Sequence, residues 1–307
     1  MDQTVTSVRT FNRFYTHRVG ALNTRFLGTD LTLGEARMLL EIARAGRVLA
    51  SDLRRLLDMD PAHVSRMLAR FESRGWIVRH RDGTDGRARP LSLSPAGQAA
   101  FQAVDERQAE ATRAMLADQD GWGRRDVAQS LALARLRLDP ASGGAVAIRP
   151  FRAGDLGQIA ARQALLYQQE NGWGRGLEVA VLDAAAAFLR DFKPGREQCW
   201  VAELDGVAAG SVMLTDEGGG IARLRLLYVE PFARGRGIGG ELIARCVAFA
   251  RDCGYDRLTL WTHTVLDGAR RLYARNGFRL TETAPHTVFG LPLQGETWVL
   301  DLTMPPA

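Results

Sequence analysis

Two rhythms divide this chain. Through the first half apolar residues return every three to four positions, which predicts helices near residues 6–27, 32–45, 49–57, 61–74, 95–118 and 122–138, with one hairpin near 76–93. In the second half, short runs rich in Leu and β-branched residues alternate with helical stretches. Strands are expected near 146–151, 198–204, 207–215, 221–229, 256–262, 278–284 and 297–303, and helices near 155–169, 178–191, 239–252 and 266–275. Asp205-Gly206 between two apolar runs is a two-residue hairpin signal, and Glu217-Gly218-Gly219-Gly220 supplies a second turn. Between the two rhythms stand the breakers Asp139-Pro140-Ala141-Ser142-Gly143-Gly144. The expected organisation is a first domain over 1–139, a linker over 140–145 and a second domain over 146–307.

A length of 307 residues fits two domains of ordinary size. With 46% hydrophobic and 24% charged residues, the composition excludes wholesale disorder, collagen-like repeats and a multi-span membrane protein. Charge is unevenly placed. Residues 1–139 hold 22 arginines against 17 acidic residues, whereas the remainder is balanced, so the whole +5 excess sits in the first half, where an acidic polymer would be sought. Cys199, Cys246 and Cys253 form an odd set with neither disulfide nor metal-ligand spacing. No signal-peptide core is visible and no run approaches 18 apolar residues, so a cytoplasmic chain is expected.

In the first half, residues 50–71 read as two short helices joined by a tight turn. Asp60 is placed to cap the second helix and Pro61 suits its first turn. Val64, Leu68 and Phe71 share one face, which leaves His63, Ser65, Arg66 and Arg70 for an outer face able to meet base edges or phosphates. Downstream, Trp76–Arg81 and Arg89–Leu93 read as strands around a tip, residues 82–88, whose arginine between acidic and glycine residues can enter a minor groove that attracts guanidinium; Asp85, Arg87 and Arg89 are the candidate contacts. With the Arg74-Gly75-Trp76 turn and the Leu91-Ser92-Leu93-Ser94-Pro95-Ala96-Gly97 run into a long helix, residues 6–138 resemble a winged helix-turn-helix domain of the MarR type. The resemblance implies binding to double-stranded DNA as a homodimer joined through the first and last helices. Met59 and Pro61 stand where polar residues are common in that family, which leaves the base preference open.

The second half centres on Leu224–Ile243, where an apolar strand runs into a basic, glycine-rich turn that opens a helix. Glycines let the backbone approach a phosphate, and the helix N-terminus adds partial positive charge, so the turn reads as a pyrophosphate cradle. Gly235-x-Gly237-x-x-Gly240 formally matches a dinucleotide fingerprint, but Glu230-Pro231-Phe232-Ala233 intervenes and antiparallel hairpins precede it, which is not the Rossmann setting. Arg234-x-x-Gly237-x-Gly239 instead resembles the coenzyme A loop of the GNAT N-acetyltransferases, and the resemblance extends over residues 146–303. It implies acetyl-CoA as cofactor, held by Arg234, Gly235, Arg236, Gly237, Gly239 and Gly240, with Leu227 and Val229 pairing with the pantetheine arm. In the Leu272-Tyr273-Ala274-Arg275-Asn276-Gly277-Phe278 run, the resemblance places Tyr273 near the thioester sulfur as donor to the departing thiolate. The fold class expected is thus a mainly α winged helix-turn-helix domain followed by an α/β GNAT acyltransferase fold with a mixed, mostly antiparallel sheet.

Acetyl transfer also needs the amine deprotonated. Many members of the family carry a Glu in the central strand, but Arg223-Leu224-Arg225-Leu226-Leu227 has none. Glu203, Glu178, a water chain and His263 are the candidates left open. The acceptor is expected over Glu170, Trp173 and Glu178, where carboxylates beside an aromatic suit a cationic amine of a small molecule or amino acid. The leading expectation is a DNA-binding regulator that is also an acetyl-CoA-dependent N-acetyltransferase. Its alternatives are a transcription factor whose weak GNAT domain senses acetyl-CoA or an amine, and an enzyme whose winged helix serves only to dimerise.

Overall fold

The computed structural model describes residues 2–23, 25–80 and 89–303. The chain divides into two compact units, Met1–Arg124 and Arg125–Ala307.

The first unit is mostly helical. Helix α1 (Gln3–Arg18) buries none of its residues. It stops well short of the expected residue 27, because the chain must bend to deliver Phe26 and Leu31 into the core, where both are almost fully buried. Helix α2 (Leu33–Ala45) starts from a reciprocal cap between Thr32 and Glu35. Helices α3 (Ala50–Leu57) and α4 (Pro61–Ser73) follow, the second capped by Asp60, whose carboxylate accepts from the N–H groups of Ala62 and His63. The expected inward face of α4 is the buried one: Val64, Leu68 and Phe71, joined by Met67, pack with Met38, Leu39, Ile42 and Leu53. Strands β1 (Ile77–Arg79) and β2 (Leu91–Leu93) pair antiparallel, and α5 (Pro95–Met115) follows.

Helix α6 (Gly121–Leu138) crosses the division between the units. The unit boundary therefore lies ahead of the Pro/Gly cluster rather than at it. The reason is packing: Leu136 is fully buried in the core of the second unit, with Leu204, Phe232 and Leu242, so residues 125–138 belong to that unit.

The second unit holds strands β3 (Val146–Pro150), β4 (Gln198–Leu204), β5 (Val207–Gly218), β6 (Ile221–Val229), β7 (Arg257–His263), β8 (Arg279–His286) and β9 (Leu293–Asp301) in the order β3-β4-β5-β6-β7-β9-β8. Every neighbouring pair is antiparallel except β6 with β7. This is the mixed, mostly antiparallel sheet anticipated from the alternation. Helices α7 (Asp155–Asn171) and α8 (Arg175–Asp191) cover one face with Leu156, Ile159, Leu166, Ala185 and Phe188. Helix α9 (Ile238–Asp252) packs Leu242, Ile243, Cys246 and Ala250 into the other core, which Tyr273 of α10 (Asp267–Arg275) also enters. No helix of the described residues is long and apolar enough to cross a membrane.

One irregularity in this sheet shapes everything that follows. The parallel pairing of β6 and β7 runs only from Ile221↔Arg257 to Leu224↔Leu260. Beyond it the register with β5 slips, from Met213↔Arg225 to Ser211↔Tyr228, so an extra residue of β6 is accommodated as a bulge. Leu226 sits there with φ of +49°, a strained value for a branched side chain, and its carbonyl accepts from Ser211 Oγ at 2.8 Å. A bulge bends its strand, so β6 and β7 splay apart past Leu224 and leave the inner edge of β6 open.

Candidate active site

The splay opens into a cleft of about 780 Å³. One wall is the end of β6 with Leu227 and Val229. The floor is the loop Arg234–Gly237 running into α9, and residues 265–269 with Leu272 and Arg275 lie opposite. Buried Glu230 anchors the strand end, accepting from Arg162 at 2.6 and 2.9 Å. From there Pro231–Ala233 make one tight turn, which brings the glycines forward. Gly235 and Gly237 have φ of +80° and +78°, where only glycine sits without strain, and a Cβ on either would meet no atom within 4 Å. The space before them is the cleft, so the loop presents backbone rather than side chains to whatever enters.

The two loop arginines part company. Arg234 lines the cleft and donates from Nη2 to Glu170 Oε1 at 2.7 Å and from Nε to the Val229 carbonyl at 3.3 Å. Arg236 lies outside the cleft lining and donates to the carbonyls of Pro140 and Gly143 at 2.6 and 3.1 Å. Its expected place beside a cofactor is therefore replaced by a structural one, tying the loop to the segment after α6.

A second cavity, of about 270 Å³, lies between α7, α8, the splayed strands and the β8–β9 connection. Tyr167, Leu227, Leu266 and Ala269 line both cavities, so the two share a wall. Its roof is aromatic. Trp173 stacks on Tyr167 with ring centres 5.1 Å apart, and stands 4.5 Å from His263 and 5.1 Å from Phe289. Trp261 approaches His263 from the other side at 4.5 Å. Gly176 at the start of α8 lies so close to the β8–β9 connection that a Cβ there would fall 2.1 Å from the Val288 carbonyl. That close approach closes the roof over Phe289.

Burial shifts several titratable groups in these walls, Tyr228 of the cleft among them, whose phenol it pushes well above its ordinary range. His263 is buried, and burial followed by the neighbouring His286 lowers its pKa to about 4, against the opposing pull of Glu296. Its Nε2 has no hydrogen-bond partner. Burial also pushes the Tyr167 phenol up to about 12, and the buried Tyr273 phenol well above its ordinary range, with Tyr167 nearby adding to the shift.

The sequence candidates separate clearly on this geometry. Leu227, Val229, Arg234, Gly235, Gly237, Gly239 and Gly240 meet in the cleft, while Trp173, His263 and Tyr273 meet in the second cavity. Glu203 lines neither. It accepts from Arg149 Nε at 2.7 Å, in a cluster where Arg149 also holds Asp155, so it is committed elsewhere in the sheet. Glu178 is exposed in the first turn of α8 and also lines neither, while Glu170 belongs to the cleft through Arg234. The expected pair of carboxylates around a cationic amine is not assembled. Gln163, Arg223, Arg225, Trp261 and Phe289 instead complete the second cavity. Arg223 and Arg225 were visible in the sequence as two charges in an otherwise apolar strand.

In the first unit, His63, Ser65 and Arg66 are exposed on α4, and Arg89 is exposed just before β2. Arg70 departs from the expectation: its guanidinium donates to Glu35 and, at 2.9 Å, to the Asp30 carbonyl, which fastens α4 to the start of α2. Asp85 and Arg87 lie outside the described residues.

Comparison with known proteins agrees with both halves. Residues 29–88 match the MarR family and residues 164–278 match the acetyltransferase (GNAT) family. Mycothiol acetyltransferase of Beutenbergia cavernae is 34% identical over 88 residues, covering 29% of each chain. N-acetyltransferase 8 of Rattus norvegicus is 31% identical over 133 residues, covering 42% of this chain and 55% of the relative. The chain thus spans less than two thirds of the length of these relatives. A candidate acetyltransferase from Salmonella typhimurium, solved with its cofactor acetyl-CoA, aligns with 53% of this chain and 98% of its own at 22% identity and a TM-score of 0.43.

Proposed function

Because this chain joins a domain of the MarR family to a domain of the GNAT acetyltransferase family, we propose that its second unit transfers an acetyl group from acetyl-CoA to a primary amine, and that its first unit binds duplex DNA. The observation that carries the enzymatic reading is the shared wall: a backbone-lined cleft and a side-chain-lined cavity meet at Tyr167 and Leu227, beside the bulge of β6.

The residues present fit acetyl-CoA. The left-handed glycines of the loop leave open space where side chains would stand, at the start of α9, where a helix N-terminus favours an anion. The edge of β6 past Leu224, which β7 leaves unpaired, offers the peptide groups of Leu227 and Val229 to an extended arm. When bound, the cofactor supplies an acetyl group activated as a thioester. Arg234 adds positive charge beside the loop, steadied by Glu170.

On the other side of the wall, Tyr273 keeps its proton at neutral pH, as a donor to a departing thiolate must. His263 is neutral above about pH 4, so its ring nitrogen is available to accept a hydrogen bond from the incoming amine and orient it. Trp173 and Phe289, both almost fully buried, give this pocket an apolar lining, in which such polar contacts are stronger than in water.

The test is thiol release from acetyl-CoA across a panel of amines, with Tyr273→Phe alongside. Loss of the donor should lower kcat about 100-fold with coenzyme affinity unchanged. Equal turnover in both proteins removes Tyr273 from the chemistry, and absence of turnover with every amine removes the enzyme.

For the first unit, the exposed His63, Ser65 and Arg66 of α4 support the DNA reading, and the outer face of α1 supports a homodimer. Val8, Phe11 and Tyr15 lie on one side of that helix, all more than 40% exposed, and the rings of Phe11 and Tyr15 stack at 5.7 Å. An apolar face of this kind is ordinarily covered by a partner. Sedimentation of Phe11→Glu should give a monomer where the parent gives a dimer.

A further inference from the structure

The second cavity carries charge of the opposite sign from the one a cationic acceptor would require. Among the described residues that line it there is no Asp or Glu, whereas Arg223 and Arg225 of β6 stand at one end. Glu217 of β5 faces both, 3.1 Å from Arg225 Nη2 and 3.8 Å from Arg223 Nε, and one carboxylate against two guanidiniums leaves a net positive charge. Arg225 is otherwise occupied by Thr215 Oγ1 at 3.3 Å.

Three polar groups in this lining have atoms with no hydrogen-bond partner. They are Gln163 Nε2 and His263 Nε2, on residues 3% and 4% exposed, and Arg223 Nε, on a half-buried side chain whose contact there is the 3.8 Å ion pair with Glu217. Buried polar atoms left without a hydrogen-bond partner are rare, because the water they gave up is not replaced. The remaining surface is apolar or aromatic, with Trp173, Leu177, Val181, Trp261 and Phe289. At about 270 Å³ the space is at or below the small end of ordinary ligand pockets, which run from roughly 300 to 1,000 Å³.

We infer that the acceptor is a small amino-carboxylate with an apolar or aromatic body, its carboxylate read by Arg223 and Gln163, its body held among the aromatic rings and its amine directed to the wall shared with the cleft. This identifies the substrate class within the acyltransferase reading and rests on it. Arg223 lies four residues before Leu227 on β6, no more than about 13 Å along a strand. That separation suits an acceptor whose amine and carboxylate stand at opposite ends of its body, as in 4-(aminomethyl)benzoate, better than one in which both groups share a carbon. A guanidinium is suited to this role because its planar fork matches a carboxylate, and its charge does not depend on pH in the working range.

Matched acceptors that differ in charge test it: phenylalanine against phenylalaninamide and phenethylamine, and 4-(aminomethyl)benzoate against benzylamine. Each is assayed for acetyl transfer and, separately, for quenching of tryptophan fluorescence in the full chain without cofactor, where Trp173 and Trp261 are two of six indoles. In at least one set the carboxylate-bearing member should exceed its neutral partners by tenfold or more in kcat/KM, mostly through KM. R223M should erase that preference and R223K should restore part of it. Neutral amines accepted as well as carboxylates, with R223M indifferent, would overturn the inference and leave the acyltransferase standing. Carboxylate-dependent quenching that R223M abolishes, but no transfer to any amine, would instead sustain the ligand class and overturn the acyltransferase. Neither quenching nor preference overturns the inference outright.

Discussion

The cleft and the cavity on either side of Tyr167 are built in opposite ways. The cleft owes much of its shape to backbone: two left-handed glycines, the free edge of a strand and the first turn of α9, all within residues 227–240. The cavity takes its shape from side chains on α7, α8, β6, β7 and the turn before β9, more than a hundred residues apart in the chain. A backbone site recognises a ligand that never changes, and short-range sequence is enough to specify it. A side-chain site recognises a ligand that differs from protein to protein, and its walls must also serve as core.

That contrast predicts where substitutions hurt. The largest effect should come from the cavity wall itself. Trp173 is 2% exposed and packs on three other rings, so Trp173→Ala should cost the second unit about 3–5 kcal/mol in urea unfolding. A cost below about 1 kcal/mol would mean the roof is not part of the core. Gly237→Val strikes the other kind of site. It forces a branched residue into a left-handed backbone and fills the cradle, and calorimetry should show the Kd for coenzyme A rising on the order of 100-fold, near 3 kcal/mol. Unchanged affinity would separate the loop from the cofactor.

The pH dependence of stability should distinguish the two sites next. His263 titrates at about 4 in the folded protein, and near 6.5 when unfolded. The unfolded chain therefore binds a proton between those values that the folded chain refuses. Stability is untouched by this group above pH 6.5 and falls as the pH drops through the window, by roughly 2–3 kcal/mol at pH 4. His263→Gln should flatten that part of the unfolding profile; an identical profile would mean that burial does not hold His263 neutral. The smallest effect belongs to the first unit. Arg66→Ala should weaken DNA binding several-fold and make its salt dependence shallower by about 0.9 per lost phosphate contact, while Arg70→Ala should act on thermal stability instead. Equal loss of affinity in both variants, each still folded, would return Arg70 to the DNA surface.

Much of this was legible beforehand. The Asp60 cap, the inward Val64-Leu68-Phe71 face, the Asp205-Gly206 hairpin and the glycine loop are all local patterns, and each stands where the residues implied. The errors share a cause. Arg70, Arg236 and Glu203 were assigned by the face or motif they occupy, but a long charged side chain is free to choose among partners brought close only by folding. The same blindness hid Gln163 and Phe289, which carry no signal until α7 and the β8–β9 connection converge.

The chain's own pattern determined the two domains, the class of each fold and the glycine loop at the start of α9, because periodicity, capping and backbone dihedrals act over a few residues. Tertiary structure alone decided that residues 125–138 belong with the second unit, where Leu136 finds its core. It also decided the sign of the acceptor cavity. Charge in a pocket is set by which side chains are turned toward it and which are already paired elsewhere, and both depend on contacts between residues that the sequence keeps far apart.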